Sequence, residues 1–209
     1  MKRVLGITAG VLVIGSTVIG CAQMSSTLDS AMGWTTLIDN GKGLENFNRI
    51  GDVNWRAEGD AIVGDKGKGG FLVTKKAFKD FELKVEFWAD HTTNSGIYIR
   101  AGDPVKITTK NAYEVNIYDQ RPGPEYATGA IVDIGKVPVP IIYKAGGKWN
   151  TFLITAKGPN LTVEFNGVQT VNVQNSQFPE GPFALQFGSL AKGAPGGAIK
   201  WRKLQVKEL

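Results

Sequence analysis

The 209-residue chain has little of the chemistry that many enzyme classes need. Its one histidine, His91, excludes a three-histidine zinc site, and the sequence has no G-x-S-x-G motif of the kind that serine hydrolases use. Its one cysteine, Cys21, excludes disulfides within the chain, so a secreted domain of this sequence depends on core burial for stability. Basic residues are scattered rather than gathered in a stripe, so we expect no nucleic-acid partner.

The first residues have the layout of a bacterial secretory leader. Two basic residues precede an apolar stretch over residues 4–19, and Val18-Ile19-Gly20-Cys21 has the form of a lipobox. The sequence therefore predicts a lipoprotein signal peptide over residues 1–20 and lipidation of Cys21, which would attach the protein to a membrane. A plain signal peptide or a short membrane anchor is the alternative.

The segment after Cys21 is rich in serine, threonine and small residues and has no apolar periodicity, so residues 21–33 are predicted to be a flexible tether. Alanine rather than aspartate follows the cysteine. By resemblance to lipoprotein sorting in diderm bacteria, this predicts the outer membrane as the location.

Residues 34–209 alternate short β-rich runs with turns and contain no convincing amphipathic helix. About a dozen strands at this spacing are typical of a single sandwich or barrel domain. Asn166-Gly167 predicts a tight hairpin between two of them, because both residues tolerate positive φ angles. The glycine-rich segments 64–70 and 193–197 are predicted to be loops.

Two runs between Asn94 and Ile131 predict a polar sheet face. In the first, Ile97 and Ile99 alternate with Gly96, Tyr98 and Arg100; in the second, Tyr113, Val115 and Ile117 alternate with Glu114, Asn116 and Tyr118. If the two strands are neighbours, Tyr98, Arg100, Glu114, Asn116 and Tyr118 lie together on one rigid surface. A carboxylate, a guanidinium, an amide and two aromatic rings are suited to a carbohydrate.

Glu114 and Asp119 do not form an ordinary glycosidase pair in a regular strand. Their odd separation sends them to opposite faces, and five residues at about 3.3 Å place them roughly 16 Å apart. Glycosidase carboxyl groups lie roughly 5–10 Å apart across the scissile bond.

An ordered set of segments resembles one bacterial family, the 3-keto-disaccharide hydrolases, which have a concanavalin A-like jelly-roll fold. Beyond the block from Asn94 to Ile131, the resemblance includes the segments 80–87, 148–151, 184–186 and 199–209. It implies an all-β sandwich of two antiparallel sheets. It also implies a cell-envelope lipoprotein that acts on 3-keto-glycosides by hydrolysis, or by elimination followed by hydration.

For such chemistry, the C3 carbonyl acidifies the C2 proton, so one base and one positive group are needed. The resemblance makes Glu114 the candidate base or metal ligand and Arg100 the candidate that stabilises the enolate. Asp119 is a candidate for binding the substrate, binding a metal or capping a turn. Whether a divalent metal takes part is left open. The expected substrate-binding residues are Tyr98, Asn116, Tyr118, Gln186 and Trp88.

Two alternatives to catalysis follow from the sequence. Many family members have a histidine shortly after the segment that corresponds to Ala184-Leu185-Gln186, whereas this chain continues Phe187-Gly188-Ser189. Either the carboxylates and Arg100 carry the chemistry without that histidine, or the domain is a non-catalytic carbohydrate-binding module at the cell envelope. A purely structural alternative is a salt bridge between Glu114 and Arg100 on an exposed sheet face. The sequence leaves the oligomeric state open.

Overall fold

The computed structural model describes residues 29–190, 194 and 196–209. The predicted signal peptide, Cys21 and most of the predicted tether lie outside these residues. A helical turn occupies residues 29–31, and Trp34–Leu209 forms a compact unit of its own. Among the described residues, no helix is long and apolar enough to cross a membrane.

In this described part, thirteen strands and two short 3-10 helices follow one another along the chain. The strands are β1 (Thr35–Asp39), β2 (Phe47–Val53), β3 (Arg56–Glu58), β4 (Ala61–Gly64), β5 (Gly67–Thr74), β6 (Phe81–Ala89), β7 (Ser95–Ile99), β8 (Tyr113–Ile117), β9 (Trp149–Lys157), β10 (Asn160–Phe165), β11 (Val168–Gln174), β12 (Ala184–Phe187) and β13 (Ile199–Glu208). The 3-10 helices cover Leu44–Asn46 and Pro124–Tyr126.

The strands form two sheets in which every pair is antiparallel. The larger sheet has the order β11-β10-β9-β6-β13-β4-β3, and β1 also pairs with β13. The smaller sheet has the order β2-β5-β12-β7-β8. The prediction of an all-β sandwich with two antiparallel sheets is therefore confirmed.

Alternation along the strands builds the core between the sheets. In β6, the residues Phe81, Leu83, Val85 and Phe87 are buried, whereas the residues between them are partly or fully exposed. The core-facing residues of the smaller sheet include Ile97, Val115 and Leu185, all completely buried. On the opposite face of the smaller sheet, Val73, Tyr98 and Ala184 pack in a second buried cluster with Ala101, Ile107 and Ala112.

Two predicted loops or turns can be compared with the structure. The Asn166-Gly167 hairpin is confirmed, because both residues have positive φ angles, 51° and 80°. The prediction of a loop over residues 64–70 is wrong from Gly67 onward, where β5 begins and pairs with β2. Glycine is required there, since a Cβ on Gly70 would lie 2.2 Å from the carbonyl oxygen of Ile50.

Candidate functional site

Four strands of the smaller sheet bring polar and aromatic groups together on its outer face. Tyr98 in β7 lies directly opposite Glu114 in β8, and Gly96 lies opposite Asn116. Gln186 in the adjacent strand β12 belongs to the same face, because its neighbours Leu185 and Phe187 are in the core. The sequence-based prediction that Tyr98, Glu114 and Asn116 share one face is confirmed.

Glu114 is a buried carboxylic acid with a strongly shifted pKa. Its residue exposure is 5%, and burial raises its pKa from 4.5 to about 7. Interaction with the Tyr98 hydroxyl and with the positive charge of Arg121 lowers the pKa, while the negative charge of Asp133 raises it. A carboxyl group with a pKa near neutrality is suited to accept a proton from a substrate and later return it.

Tyr98 connects Glu114 to the rest of this face. Gln186 donates a hydrogen bond from Nε2 to the Tyr98 hydroxyl oxygen at 3.3 Å. Burial and the neighbouring Glu114 raise the pKa of Tyr98, so its hydroxyl keeps its proton. The ring of Phe71 packs edge-on against the Tyr98 ring with centroids 5.3 Å apart. Tyr98 is therefore a neutral donor held in place from two sides.

Gly96 makes room for the Glu114 side chain. A Cβ at this position would lie 3.2 Å from both Cγ and Oε1 of Glu114 and 3.2 Å from the carbonyl oxygen of Val115. Because these distances are tighter than most Cβ contacts, a side chain at this position would require Glu114 or the β8 backbone to shift by a few tenths of an ångström.

Two amide oxygens on this face are buried and accept no hydrogen bond from a described residue: Asn116 Oδ1 and Gln186 Oε1. The amide nitrogen of Asn116 donates to the carbonyl oxygen of Tyr126 at 2.6 Å, and since that oxygen can only accept, the Asn116 oxygen must face away from it. Because both oxygens are shielded from solvent, their donor is an ordered water or a ligand O–H group that enters when the surrounding side chains move.

The same groups do not make a convincing metal site. No group of three or more His, Cys, Asp or Glu side chains within residues 29–190, 194 and 196–209 is placed to hold a metal ion. Neutral amides and Tyr98 accompany Glu114 on its face, and the carboxylate of Asp133 also acts on it electrostatically.

Arg100 lies away from Glu114, and the prediction that it shares the polar face is wrong. Strand β7 ends at Ile99, and Arg100 has a φ of 54°, which interrupts the strand alternation. Its buried guanidinium donates to the carbonyl oxygens of Lys79 and Gly158 at 2.8 Å and to the carboxylate of Asp80 at 3.0 Å. Burial lowers the pKa of Arg100. These contacts give it a structural role.

Asp119 lies beyond the end of β8 and does not approach Glu114 as a catalytic partner. Its carboxylate accepts hydrogen bonds from the Thr128 hydroxyl at 2.6 Å and from the backbone N–H groups of Ala145 and Gly146 at about 3.0 Å. Strand parity is not tested by this separation, because β8 ends at Ile117, two residues before Asp119. The contacts of Asp119 connect the segment that follows β8 to Thr128 and to the loop that contains Ala145 and Gly146.

Trp88 belongs to the larger sheet, so its assignment to the sugar-binding face is wrong. It lies in β6 directly opposite Trp149 of β9 and Lys200 of β13, and the Lys200 ammonium lies 4.9 Å from the Trp88 ring centroid. Its neighbours Phe87 and Ala89 are buried in the core, which turns Trp88 to the outside of that sheet.

Tyr118 directly follows β8 and is half-buried.

Arg121 and Asp133 are the charged groups that sequence reasoning missed. Both act on Glu114 electrostatically, and Arg121 also lowers the pKa of Tyr98. Arg121 comes four residues after the end of β8, within Gln120-Arg121-Pro122-Gly123. A cation in a loop that directly follows the strand of the candidate base is the signal that was available in the sequence.

The geometry thus defines a jelly-roll sandwich with a buried acid–tyrosine–amide cluster on the outer face of one sheet. The chain matches the family of 3-keto-alpha-glucoside-1,2-lyase-like domains over residues 33–207. Because this match spans most of the chain, the protein belongs to that family. The resemblance inferred from the sequence is confirmed.

Solved structures with this fold include two proteins from Parabacteroides distasonis ATCC 8503, each named as a candidate glycosyl hydrolase. One is 22% identical, with a TM-score of 0.67, and the match covers 84% of this chain and 99% of the other. The second is 19% identical, with a TM-score of 0.70 and coverages of 87% and 96%.

A carbohydrate-binding module of family 66 from Bacillus subtilis is also similar, with 15% identity, a TM-score of 0.54 and coverages of 84% and 96%. At these identities the likeness shows the concanavalin A-like fold. A search of curated protein sequences finds no significant match.

Proposed function

We propose that this protein cleaves 3-keto-glycosides by elimination and hydration, with Glu114 as the base that removes the C2 proton. The observation that supports this assignment best is the buried Glu114 carboxyl group, whose pKa of about 7 suits a group that must both take and return a proton near neutral pH. Membership of the 3-keto-alpha-glucoside-1,2-lyase-like family supports the substrate class.

The proposed reaction has two steps. In the first, the Glu114 carboxylate takes the proton from C2, the electron pair passes into the C3 carbonyl as an enolate, and re-formation of that carbonyl expels the oxygen substituent from C1. In the second, the oxygen of water bonds to C1 of the C1–C2 double bond, and Glu114 returns its proton to C2. The proton that the water loses goes to the expelled oxygen substituent, which leaves as the free alcohol, and the Glu114 carboxylate is regenerated. The positive charge of Arg121 and the neutral Tyr98 hydroxyl stabilise negative charge beside Glu114.

A Glu114→Gln variant tests the role of the base. The variant keeps the size of the side chain but removes the proton acceptor, so aglycone release from an aryl 3-keto-glucoside should fall by about 10²-fold or more. For the wild type, kcat/KM should rise with pH through about 7, because only the ionised carboxylate acts. Glu82→Gln on the larger sheet is the matched control and should retain full activity. Equal rates in the wild type and Glu114→Gln would reject the assignment.

A non-catalytic carbohydrate-binding module is the second candidate. It is supported by the two buried amide oxygens that lack a donor and by the fold shared with the family 66 binding module. This candidate predicts that the wild type binds a glycan without releasing product and that Glu114→Gln leaves the Kd nearly unchanged. Isothermal titration calorimetry combined with product analysis separates the two candidates.

We also propose that the protein is a cell-envelope lipoprotein attached to the outer membrane through a lipid on Cys21. The lipobox sequence that ends at Cys21 and the alanine that follows it support this proposal. Cys21→Ser should abolish incorporation of an alkyne-labelled fatty acid and release the protein from the membrane fraction. Labelling that persists in Cys21→Ser would contradict it.

A further inference from the structure

Asp119 uses its carboxylate to hold three separate backbone segments together. Oδ1 accepts from the Thr128 hydroxyl at 2.6 Å, and the two oxygens together accept from the N–H groups of Ala145 and Gly146 at 2.9–3.0 Å. Thr128 lies nine residues further along the chain, so this contact closes the loop between Asp119 and Thr128. Charge-assisted hydrogen bonds of this kind are stronger than neutral ones.

Asn116 holds the same loop to β8. Its side-chain amide donates to the carbonyl oxygen of Tyr126 at 2.6 Å. Its backbone N–H donates to Ala130 at 2.9 Å, and its carbonyl oxygen accepts from Gly129 at 3.0 Å. Because Glu114 also belongs to β8, the loop over residues 120–127 is joined at both ends to the strand that carries the candidate base.

This loop brings a positive charge to Glu114. Arg121 is half-buried, and its charge lowers the pKa of both Glu114 and Tyr98. Among the residues that the structure describes, no carboxylate lies within 4.0 Å of the Arg121 nitrogens. No ion pair with a described carboxylate anchors the guanidinium, and the hydrogen bonds of Asp119 and Asn116 hold the backbone that carries it.

We infer that Asp119 is a positioning residue that, together with Asn116, holds the 120–127 loop so that Arg121 faces Glu114. The inference depends on the proposed function for its catalytic meaning. The positioning itself is a structural claim that can be measured in the absence of turnover.

The test is a carboxyl ¹³C NMR titration of Glu114, with its signal assigned by comparison with Glu114→Gln. Tyr98, Arg121 and Asp133 are the titratable or charged groups that face Glu114. Arg121→Gln should raise the Glu114 pKa above about 7, because the attraction of the guanidinium is lost. Asp119→Asn should also raise it. Loss of the negative charge of Asp119 would by itself lower the Glu114 pKa. An increase in the Glu114 pKa therefore identifies an effect that acts through Arg121.

The double variant Asp119→Asn/Arg121→Gln should have the same Glu114 pKa as Arg121→Gln alone, since residues that act through one contact are not additive. Asp133→Asn should lower the Glu114 pKa, which verifies the sign of the measurement. Asp65→Asn, which loses hydrogen bonds to Arg56 and Asn54 elsewhere in the fold, should leave it unchanged.

An unchanged or lower Glu114 pKa in Asp119→Asn overturns the inference. So does a double variant whose Glu114 pKa shift equals the sum of the two single shifts, and so does an unchanged Glu114 pKa in Arg121→Gln. If Asp119→Asn does not fold, Thr128→Val removes one of the contacts and takes its place, with the same expected increase and the same contradicting result. If the pKa pattern is found but no variant or wild type turns over a 3-keto-glycoside, the positioning stands and the proposed function is rejected.

Discussion

At the scale of single residues, the environment of Glu114 acts on its pKa in two opposite directions. Burial at 5% exposure favours its neutral form, while the Tyr98 hydroxyl and Arg121 favour the carboxylate. The result is a pKa of about 7, compared with 4.5 for the free side chain. The folded protein therefore loses stability when this group is forced to ionise, as expected for a group whose environment serves chemistry rather than folding.

The pH dependence of stability follows from this shift. The unfolded chain releases the Glu114 proton near pH 4.5 and the folded chain near pH 7, so the folded state binds more protons between these values. Stability should fall as the pH rises through this window, by about 3 kcal/mol in total. Glu114→Gln should therefore match the wild type in Tm at pH 5 and exceed it at pH 8. Equal Tm differences at both pH values would contradict the shift.

Residue-level reasoning from the sequence succeeded where the strands are regular. The period of two placed Tyr98, Glu114 and Asn116 on one face. It does not apply to Asp119, because β8 ends at Ile117. It was wrong for Arg100, since one positive φ angle after Ile99 ended the alternation. The position of Arg121 in the loop after β8 was visible in the sequence, but its effect on Glu114 depends on how that loop folds, which the local pattern does not encode.

At the scale of elements, the end of β7 is stabilised by the buried Arg100 guanidinium. It satisfies the carbonyl oxygens of Lys79 and Gly158 and pairs with Asp80, which itself accepts from the Gly158 N–H at 2.8 Å. Three separate chain segments therefore meet at one side chain. Arginine fits this position because its planar fork of donors reaches several acceptors at once.

Replacing Arg100 should affect folding rather than ligand recognition. Arg100→Met keeps much of the apolar volume but removes the donor to the carbonyl oxygens of Lys79 and Gly158 and the ion pair with Asp80, so the free energy of unfolding should fall by about 3 kcal/mol. Asp80 keeps its hydrogen bond from the Gly158 N–H. Urea denaturation measures this loss. The Glu114 pKa in the folded variant should remain about 7, and a large change there would show that Arg100 acts on the site after all.

Element prediction was weakest where glycine builds a strand. Strand β2 contains asparagine, glycine and aspartate, and β5 begins within a glycine-rich segment, so neither has the usual strand composition. Their pairing nevertheless brings the backbones so close that a Cβ on Gly51 would lie 2.5 Å from the carbonyl oxygen of Gly69. These two backbones approach closely enough for β2 and β5 to pair as antiparallel strands. Composition alone does not reveal this close approach.

At the scale of the whole molecule, the two sheets have outer faces of different character. The smaller sheet holds the acid–tyrosine–amide cluster around Glu114. The larger sheet covers its tryptophans with cations, with Arg202 4.0 Å from the Trp149 ring centroid and Lys200 4.9 Å from that of Trp88. Trp88 was assigned to the wrong face because alternation tells which residues point outward but not which sheet a strand joins.

This division predicts separate effects on binding. Ligand affinity is best measured in a Glu114→Gln background, where turnover is blocked, by calorimetry with a 3-keto-glucoside. Tyr98→Phe removes a hydroxyl that faces Glu114 and Gln186, so the affinity should fall by about 1 kcal/mol, or roughly fivefold in Kd. Trp88→Ala should leave the Kd unchanged, since its ring packs against Lys200 on the outside of the larger sheet.

The two variants also separate binding from stability. Trp88→Ala gives up a cation–π contact of about 0.5–1 kcal/mol and should lower the Tm slightly while the ligand binds normally. Tyr98→Phe keeps the edge-on packing against Phe71, so its lower affinity would come from the lost hydroxyl rather than from a collapsed face. A weaker Kd in Trp88→Ala together with an unchanged Kd in Tyr98→Phe would move the binding surface to the larger sheet and reject the site around Glu114.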